Sequence, residues 1–374
     1  MRILHISDMY PPRLGGIEAH VHGIAHRQAA RGDEVTVLTR TPADAEHRHV
    51  DDAGAVRVWR VRSINEGVDR ALAGGTAAFD VVHAHVSSFA PFTSPVAARL
   101  TRRGLPTVVT VHSMWGGYGP WPGAYADLQG LRRAPVTWTA VSRVAASQMS
   151  RQLPHRTPIA IVPNAVEAGP RACTPQRMPD EPVRLVSTMR IARRKRPLPL
   201  LAMFARLVEA TDRPLHLTVV GDGPKRQRFD TAVEGLGLVG RVTVTGRVEP
   251  PEVLASLRQA DIYVAPAVLE SFGLAALEAR CIGLPVVGRA ASGLTEFVVD
   301  GVEGALCASD HDMVTALRRL VEDDESRLRI AEHNRTTRSP LTWAHALERH
   351  DQVYDLAGFR SRARRAVPLA REGK

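Results

Sequence analysis

Short, almost uninterrupted apolar runs alternate along this chain with longer stretches whose apolar positions recur every three or four residues. RILHIS, EVTVLT, VRVWRV, DVVHAHV, TVVTVH, TWTAVS and AIVP read as strands in the first half. The rhythm restarts with VRLVST, LHLTVVG, RVTVTG, DIYVAP and LPVVG, and helical stretches such as Ile17–Arg31 and Pro95–Arg103 lie between strands. Apolar strands separated by helices predict an α/β fold with parallel sheets covered on both faces. The rhythm breaks at Pro163–Pro182, which is proline-rich and aperiodic and reads as a linker. Two Rossmann-like domains facing a central cleft are therefore expected, residues 1–168 and 169–344, joined near residue 170. The last segment, Leu341 to about Arg365, looks helical and carries Trp343, Leu347, Val353, Tyr354, Leu356 and Phe359, so it predicts a docked helix and not a loose tail.

Composition narrows the picture. A chain of 374 residues is long for one core, and its hydrophobic fraction of 44% is that of a globular protein. No apolar run approaches the roughly 18 residues of a membrane span, and the N-terminus enters a strand directly where a signal peptide would show a charged start and an apolar run. Cys173, Cys281 and Cys307 show no CxxC spacing and read as buried thiols in a reducing cytoplasm. The net charge of +10 is carried almost wholly by arginine, lysine occurring only at 195, 225 and 374. Such a surface attracts nucleic acid, anionic lipid or phosphorylated small molecules, or is simply solvated. Interleaved aromatics, a recognition helix and zinc spacing are all missing, which argues against nucleic acid.

The stretch ESFGLAALEARCIGLPVV places two carboxylates, Glu270 and Glu278, where a buried helix leads into a buried strand. Ionised carboxylates in apolar surroundings need partners. A helix starting around Ser271–Gly273 and ending at Ile282 would aim the N–H groups of Phe272, Gly273 and Leu274 at a ligand. Gly273 would let that ligand approach the backbone closely. Each carboxylate suits a vicinal diol, and a ligand with two diols separated by an anionic segment is a nucleotide sugar. Ordinary surface glutamates, or a glutamate complementing the helix dipole, are the simpler alternative.

The pattern E-S-F-G-L-x-x-L-E-A followed by G-x-P-V-V resembles the glutamate–seven–glutamate signature of glycosyltransferase family 4, retaining enzymes of the GT-B fold. Gly15-Gly16-Ile17-Glu18, the HS of TVHS, VPN at 162–164, Arg190 with Lys195, GDGP at 221–224, ADIYVAP and TEFVVDGVEGAL follow in matching order across most of the chain. The resemblance implies that Glu270 serves the donor sugar, that Glu278 binds the ribose diol and that Arg190 and Lys195 grip the diphosphate, while Ser271 joins Phe272, Gly273 and Leu274 at the ligand-binding helix start. It sets the Gly15-Gly16 loop over diphosphate and acceptor and His112 against the donor sugar. Gly246, Arg247 and Val248 would meet the base. It also implies that the terminal helix, residues 345–374, crosses back onto the first domain. Met189 stands where the family often has glycine.

No cofactor or metal is expected. Asp310-His311-Asp312 spells the DxD of metal-dependent sugar transferases, but it follows Ser309 at a helix start, where it reads as a capping pattern. His83 with His85, two residues apart on a strand, and His22 with His26, at helical spacing, lack a metal motif. The partners expected are a nucleotide-sugar donor and a hydroxyl acceptor, with Arg99, Arg102 and Arg103 offering contact to anionic lipid. A nucleotide-sugar epimerase or another enzyme on the same fold is the alternative.

Overall fold

The computed structural model describes residues 1–13, 15–43, 55–167 and 181–366, with side chains to residue 361. The chain divides into two compact units, Met1–Ala165 with Trp343–Lys374, and Val166–Thr342. The first is built on seven strands: β1 (Arg2–Ser7), β2 (Glu34–Thr39), β3 (Val56–Arg60), β4 (Val81–Val86), β5 (Thr107–Val111), β6 (Thr137–Ala140) and β7 (Ile159–Ile161). They pair in parallel in the order β3-β2-β1-β4-β5-β6-β7. The second unit has β8 (Val183–Thr188), β9 (Leu215–Val220), β10 (Val242–Val244), β11 (Ile262–Ala265), β12 (Val286–Arg289) and β13 (Gly304–Cys307), also parallel, in the order β10-β9-β8-β11-β12-β13.

Both orders reverse direction beside their first strand, between β1 and β4 and between β8 and β11. Loops leaving the carboxyl ends of such a pair diverge, and this switch point is where open α/β sheets hold ligands. Every strand read from the sequence forms. β13 is an addition, a four-residue GALC segment at the sheet edge, too short to show an apolar period.

In the first unit the two sheet faces differ. One is mainly apolar: Leu4, Ile6, Leu38 and Val82 pack under Phe92, Val96 and Leu100. The other begins apolar, with Ile3, Val81 and Val108 against Val353, Tyr354 and Ala357 of the helix Trp343–Ala366. Toward the carboxyl ends of the strands it turns polar, with His5, His83, His85, Thr110, His112 and Thr139 all buried. The terminal helix thus docks by its Val353–Tyr354–Ala357 side, and Arg31 forks Asp351 at 2.8 and 2.6 Å. Leu356 and Phe359, expected in the docking surface, face solvent instead, because the docked stripe leaves them on the opposite side of the helix. Cys307 is buried, Cys281 only half-buried, and Cys173 lies outside the described residues. No helix among the described residues is long and apolar enough to cross a membrane.

Candidate active site

Two loops of the second unit meet at its switch point. The loop after β8 turns through a short 3-10 helix, Arg193–Lys195, and the loop after β11 runs from Pro266 to Gly273. Because β8 and β11 are neighbours, Lys195 and Glu270 come together, with Lys195 Nζ 2.5 Å from Glu270 Oε2. Lys195 is 41% exposed and Glu270 16%. The surrounding basic run is divided between two tasks. Arg190, Arg193 and Arg194 are exposed, whereas Arg196 is drawn inward. Its guanidinium forks Asp310 at 2.8 and 2.7 Å and donates to the carbonyl of Pro266 at 3.1 Å. That anchor ties the β8 loop to the β11 loop and holds Arg196 in a left-handed conformation, directly after Lys195. Arg190 has no hydrogen bond or ion pair to its side chain among the described residues, leaving its fork open to phosphate oxygens.

Glu270 is fixed from behind by its own backbone. Its carbonyl accepts from the N–H of Gly293 at 2.8 Å, and a side chain at Gly293 would collide with Ser271 and Phe272. The helix begins at Leu274, with Gly273 as N-cap at φ 94°, a conformation that favours glycine. This start corrects one expectation. The unsatisfied helix-start donors run from Gly273 to Ala276, so Gly273 and Leu274 belong to them and Phe272 does not. Phe272 is a packing residue, 1% exposed, its ring 5.6 Å from that of Phe297. Ser271, between Glu270 and Phe272 in sequence, is half-buried.

Glu278, one turn into the helix, still meets solvent, yet the protein around its carboxyl pushes it up to about 7. Burial, with smaller contributions from Glu270 and Glu278, raises the phenol of Tyr263 well above its ordinary value. Gly246, Arg247 and Val248 follow the edge strand β10, where Gly246 bridges to Gly221 of the GDGP turn. That edge strand is two strands removed from β8 at the switch point. Asp310 is held below the usual carboxylate range chiefly by its bond to Arg196, and Arg289 adds a second cation at 3.0 Å. Ser309 and Asp312 form a capping box, so the Asp310–Asp312 pattern is a helix start braced by arginines.

In the first unit, Gly15 caps the helix Gly16–Ala30 and the buried Glu18 carboxylate folds back over it, 3.3 Å from Arg13. Asn164 is buried, its Oδ1 without a hydrogen-bond partner. Arg99, Arg102 and Arg103 are exposed around a shallow hollow shared with Asn65 and Asp69.

His112 is buried, and its Nε2 lies 3.0 Å from Nδ1 of His85. His85 in turn meets His5 at 2.9 Å, and His20, His83 and His350 pack around them. His83 and His85, which nothing marked in the sequence, are thus members of a six-histidine buried cluster. Burial lowers them all, His5 to about 4 and His112 to about 3. Two trios, His5-His83-His85 and His20-His85-His112, bring one nitrogen each within 4.8 Å of one another. The signal was present as polar residues at alternate positions of neighbouring apolar strands: His5 faces His83, Ser7 faces His85, and His85 faces Thr110. His22 and His26 lie apart, His26 bonding the carbonyl of His22 along their helix.

Residues 14–169 match the family described as Glycosyltransferase Family 4, and residues 174–337 match Glycosyl transferases group 1. A 2-deoxystreptamine N-acetyl-D-glucosaminyltransferase of Streptomyces fradiae is 30% identical over 83% of this chain and 82% of its own. A glycogen synthase of Mycobacterium tuberculosis is 27% identical over 95% of this chain and 94% of its own. The crystal structure of Anabaena Alr3699/HepE in complex with UDP and glucose superposes with a TM-score of 0.76 at 17% identity, covering 95% of this chain and 100% of that one. The chain therefore belongs to glycosyltransferase family 4 and is a glycosyltransferase of the GT-B fold.

Proposed function

We propose that the protein is a retaining glycosyltransferase that takes a sugar from a nucleoside diphosphate, with UDP the first candidate, and delivers it to a hydroxyl acceptor. The observation that carries this reading is the meeting of Lys195 and Glu270 at a strand-order reversal, beside the helix start Gly273–Leu274 and one turn from Glu278. In this reading Arg190 and Lys195 take the diphosphate, Glu270 the sugar hydroxyls and Glu278 the ribose diol. Arrival of the diphosphate would draw Lys195 away, leaving the Glu270 carboxylate to the sugar. His112 is assigned to the donor sugar by family resemblance. HepE, crystallised with UDP and glucose, supports UDP as the candidate to test first.

The reaction needs no protein nucleophile. The acceptor oxygen bonds the anomeric carbon on the face from which the diphosphate departs, the carbon–oxygen bond to phosphate breaks, and a leaving phosphate oxygen takes the acceptor's proton. Arg190 and Lys195 stabilise the charge growing on that leaving group, a task a divalent metal performs in other transferases. The test is a panel of nucleotide sugars assayed for binding and slow hydrolysis, with and without EDTA. One donor preferred, with turnover unchanged by EDTA, is expected. Activity lost in EDTA and restored by Mg²⁺ or Mn²⁺ contradicts the assignment of the cations.

A further inference from the structure

The buried polar layer of the first unit is one connected hydrogen-bond chain, and its far end gives it a direction. Thr139 Oγ1 lies 3.4 Å from the carbonyl of Val109, an oxygen that only accepts, so the Thr139 hydroxyl donates there. Thr139 then accepts from Thr110 at 2.5 Å, and Thr110 accepts from Nε2 of His83 at 2.7 Å. A neutral His83 with its proton on Nε2 has its lone pair on Nδ1, which accepts from the Tyr354 hydroxyl at 2.8 Å. The Tyr354 oxygen takes an amide N–H of Gln28 at 3.1 Å, which turns Oε1 of Gln28 toward Nε2 of His5 at 2.7 Å. The same logic passes through two more rings. Nδ1 of His5 accepts from Nε2 of His85 at 2.9 Å, and Nδ1 of His85 accepts from Nε2 of His112 at 3.0 Å. Each of the four rings carries its proton on Nε2.

We propose that Gln28 and Tyr354 are positioning residues for glycosyl transfer, fixing His112 through His5 and His85 as the Nε2–H tautomer that presents Nδ1 as an acceptor to a donor-sugar hydroxyl. This rests on the reading of His112 as a donor-sugar contact. An isolated neutral imidazole divides between two tautomers, and only one of them accepts at a given nitrogen. Reversing one link alone leaves a desolvated donor or acceptor unpaired, and reversing all of them together gives up the bond from Thr139 to the Val109 carbonyl. Burial keeps the rings neutral, as the direction requires. A metal ion in either histidine trio is the competing use of the cluster, but both nitrogens of His85 are already committed to His5 and His112.

The experiment is long-range proton–nitrogen NMR on the full chain labelled with ¹⁵N-histidine, paired with turnover on the preferred donor. Wild-type protein is expected to show His5, His83, His85 and His112 as Nε2–H tautomers. Gln28→Leu removes the acceptor of His5, and is expected to mix the tautomers of His5, His85 and His112 and to lower turnover about tenfold, the effect of one lost hydrogen bond. Tyr354→Phe deletes only a hydroxyl and carries the same test if Gln28→Leu does not fold, with partial mixing expected. His112 protonated on Nδ1 in the wild type overturns the proposal. So does stoichiometric Zn²⁺ that displaces these N–H signals and raises thermal stability. Normal turnover in a variant whose His112 tautomer is mixed overturns instead the contact of His112 with the sugar, while the direction of the chain stands.

Discussion

Lys195 Nζ stands 2.5 Å from Glu270 Oε2, so the cation proposed for the diphosphate and the carboxylate proposed for the sugar neutralise each other before any ligand arrives. With Lys195 41% exposed, such a pair contributes only about 0–1 kcal/mol to stability and exchanges readily for ligand oxygens. Lys195→Ala and Glu270→Ala are therefore expected to fold normally, with denaturation midpoints close to wild type. Turnover should fall by at least about tenfold in each, since each loses contacts made to the donor. Either variant turning over at the wild-type rate contradicts the role given to the pair.

Gly293 holds the Glu270 loop through a 2.8 Å bond to its carbonyl, and a methyl group there collides with the backbone of Ser271 and Phe272. Gly293→Ala is expected to cost about 1–3 kcal/mol, because backbone atoms cannot yield as a flexible side chain does. It should also weaken donor binding, since Glu270 and the helix start move with that loop. Urea denaturation and donor titration check the two effects separately. A variant as stable as wild type shows that the loop relaxes freely.

Much of this was legible in the sequence, for identifiable reasons. Strands buried on both faces announce themselves as apolar runs, so twelve of the thirteen among the described residues were visible, and the short edge strand Gly304–Cys307 was not. Glu270 and Glu278 stood out because charge in an apolar stretch needs a reason. What one sequence does not carry is the pairing of distant segments: Lys195 meets Glu270 because β8 and β11 are neighbours, and Arg196 faces Asp310 because the helix Asp310–Glu322 after β13 packs on the helix Pro197–Glu209. The histidine cluster was hidden differently. Its members lie on two strands, just past the end of a third and on two helices, each unremarkable alone, and only strand register brings His5, His83 and His85 together. Leu356 and Phe359 mislead for the opposite reason, since apolar composition says nothing about which side of a helix is docked.

Glu278 supplies a pH dependence. Its carboxyl is pushed up to about 7, so it is partly protonated near neutrality, and a protonated carboxyl accepts less well from a diol. Nucleoside-diphosphate affinity, measured relative to Glu278→Gln so that titration of the ligand phosphate cancels, is expected to strengthen from about pH 6 to about pH 8. For stability the sign is opposite. The folded state keeps this proton above the ordinary carboxylate value of about 4.3, so the contribution of Glu278 to stability declines as pH rises from there through about 7. Calorimetric titrations at several pH values decide. A wild type and Glu278→Gln that change in parallel with pH would contradict the shift.

The histidine cluster responds to acid in the other direction. Its rings are held below the ordinary value by burial, His5 to about 4 and His112 to about 3. Unfolded histidines take up protons near 6.5 while these do not, so stability is lost as pH falls from about 6.5 toward about 4. The slope is up to about 1.4 kcal/mol per pH unit for each ring that stays neutral. Denaturation of the wild type across that range, followed by tryptophan fluorescence, should show a steep loss. A flat profile means that the rings are protonated in the folded protein.

The central claim is that Glu270 and Glu278 divide one nucleotide sugar between them, sugar to the first and ribose to the second. Isothermal titration of the bare nucleoside diphosphate into the wild type, Glu270→Ala and Glu278→Ala tests it most directly. The bare nucleotide has a ribose and no sugar, so Glu270→Ala should bind it about as the wild type does, while Glu278→Ala binds it at least about tenfold more weakly. Wild-type affinity in both variants, or the loss falling on Glu270→Ala alone, would contradict the division.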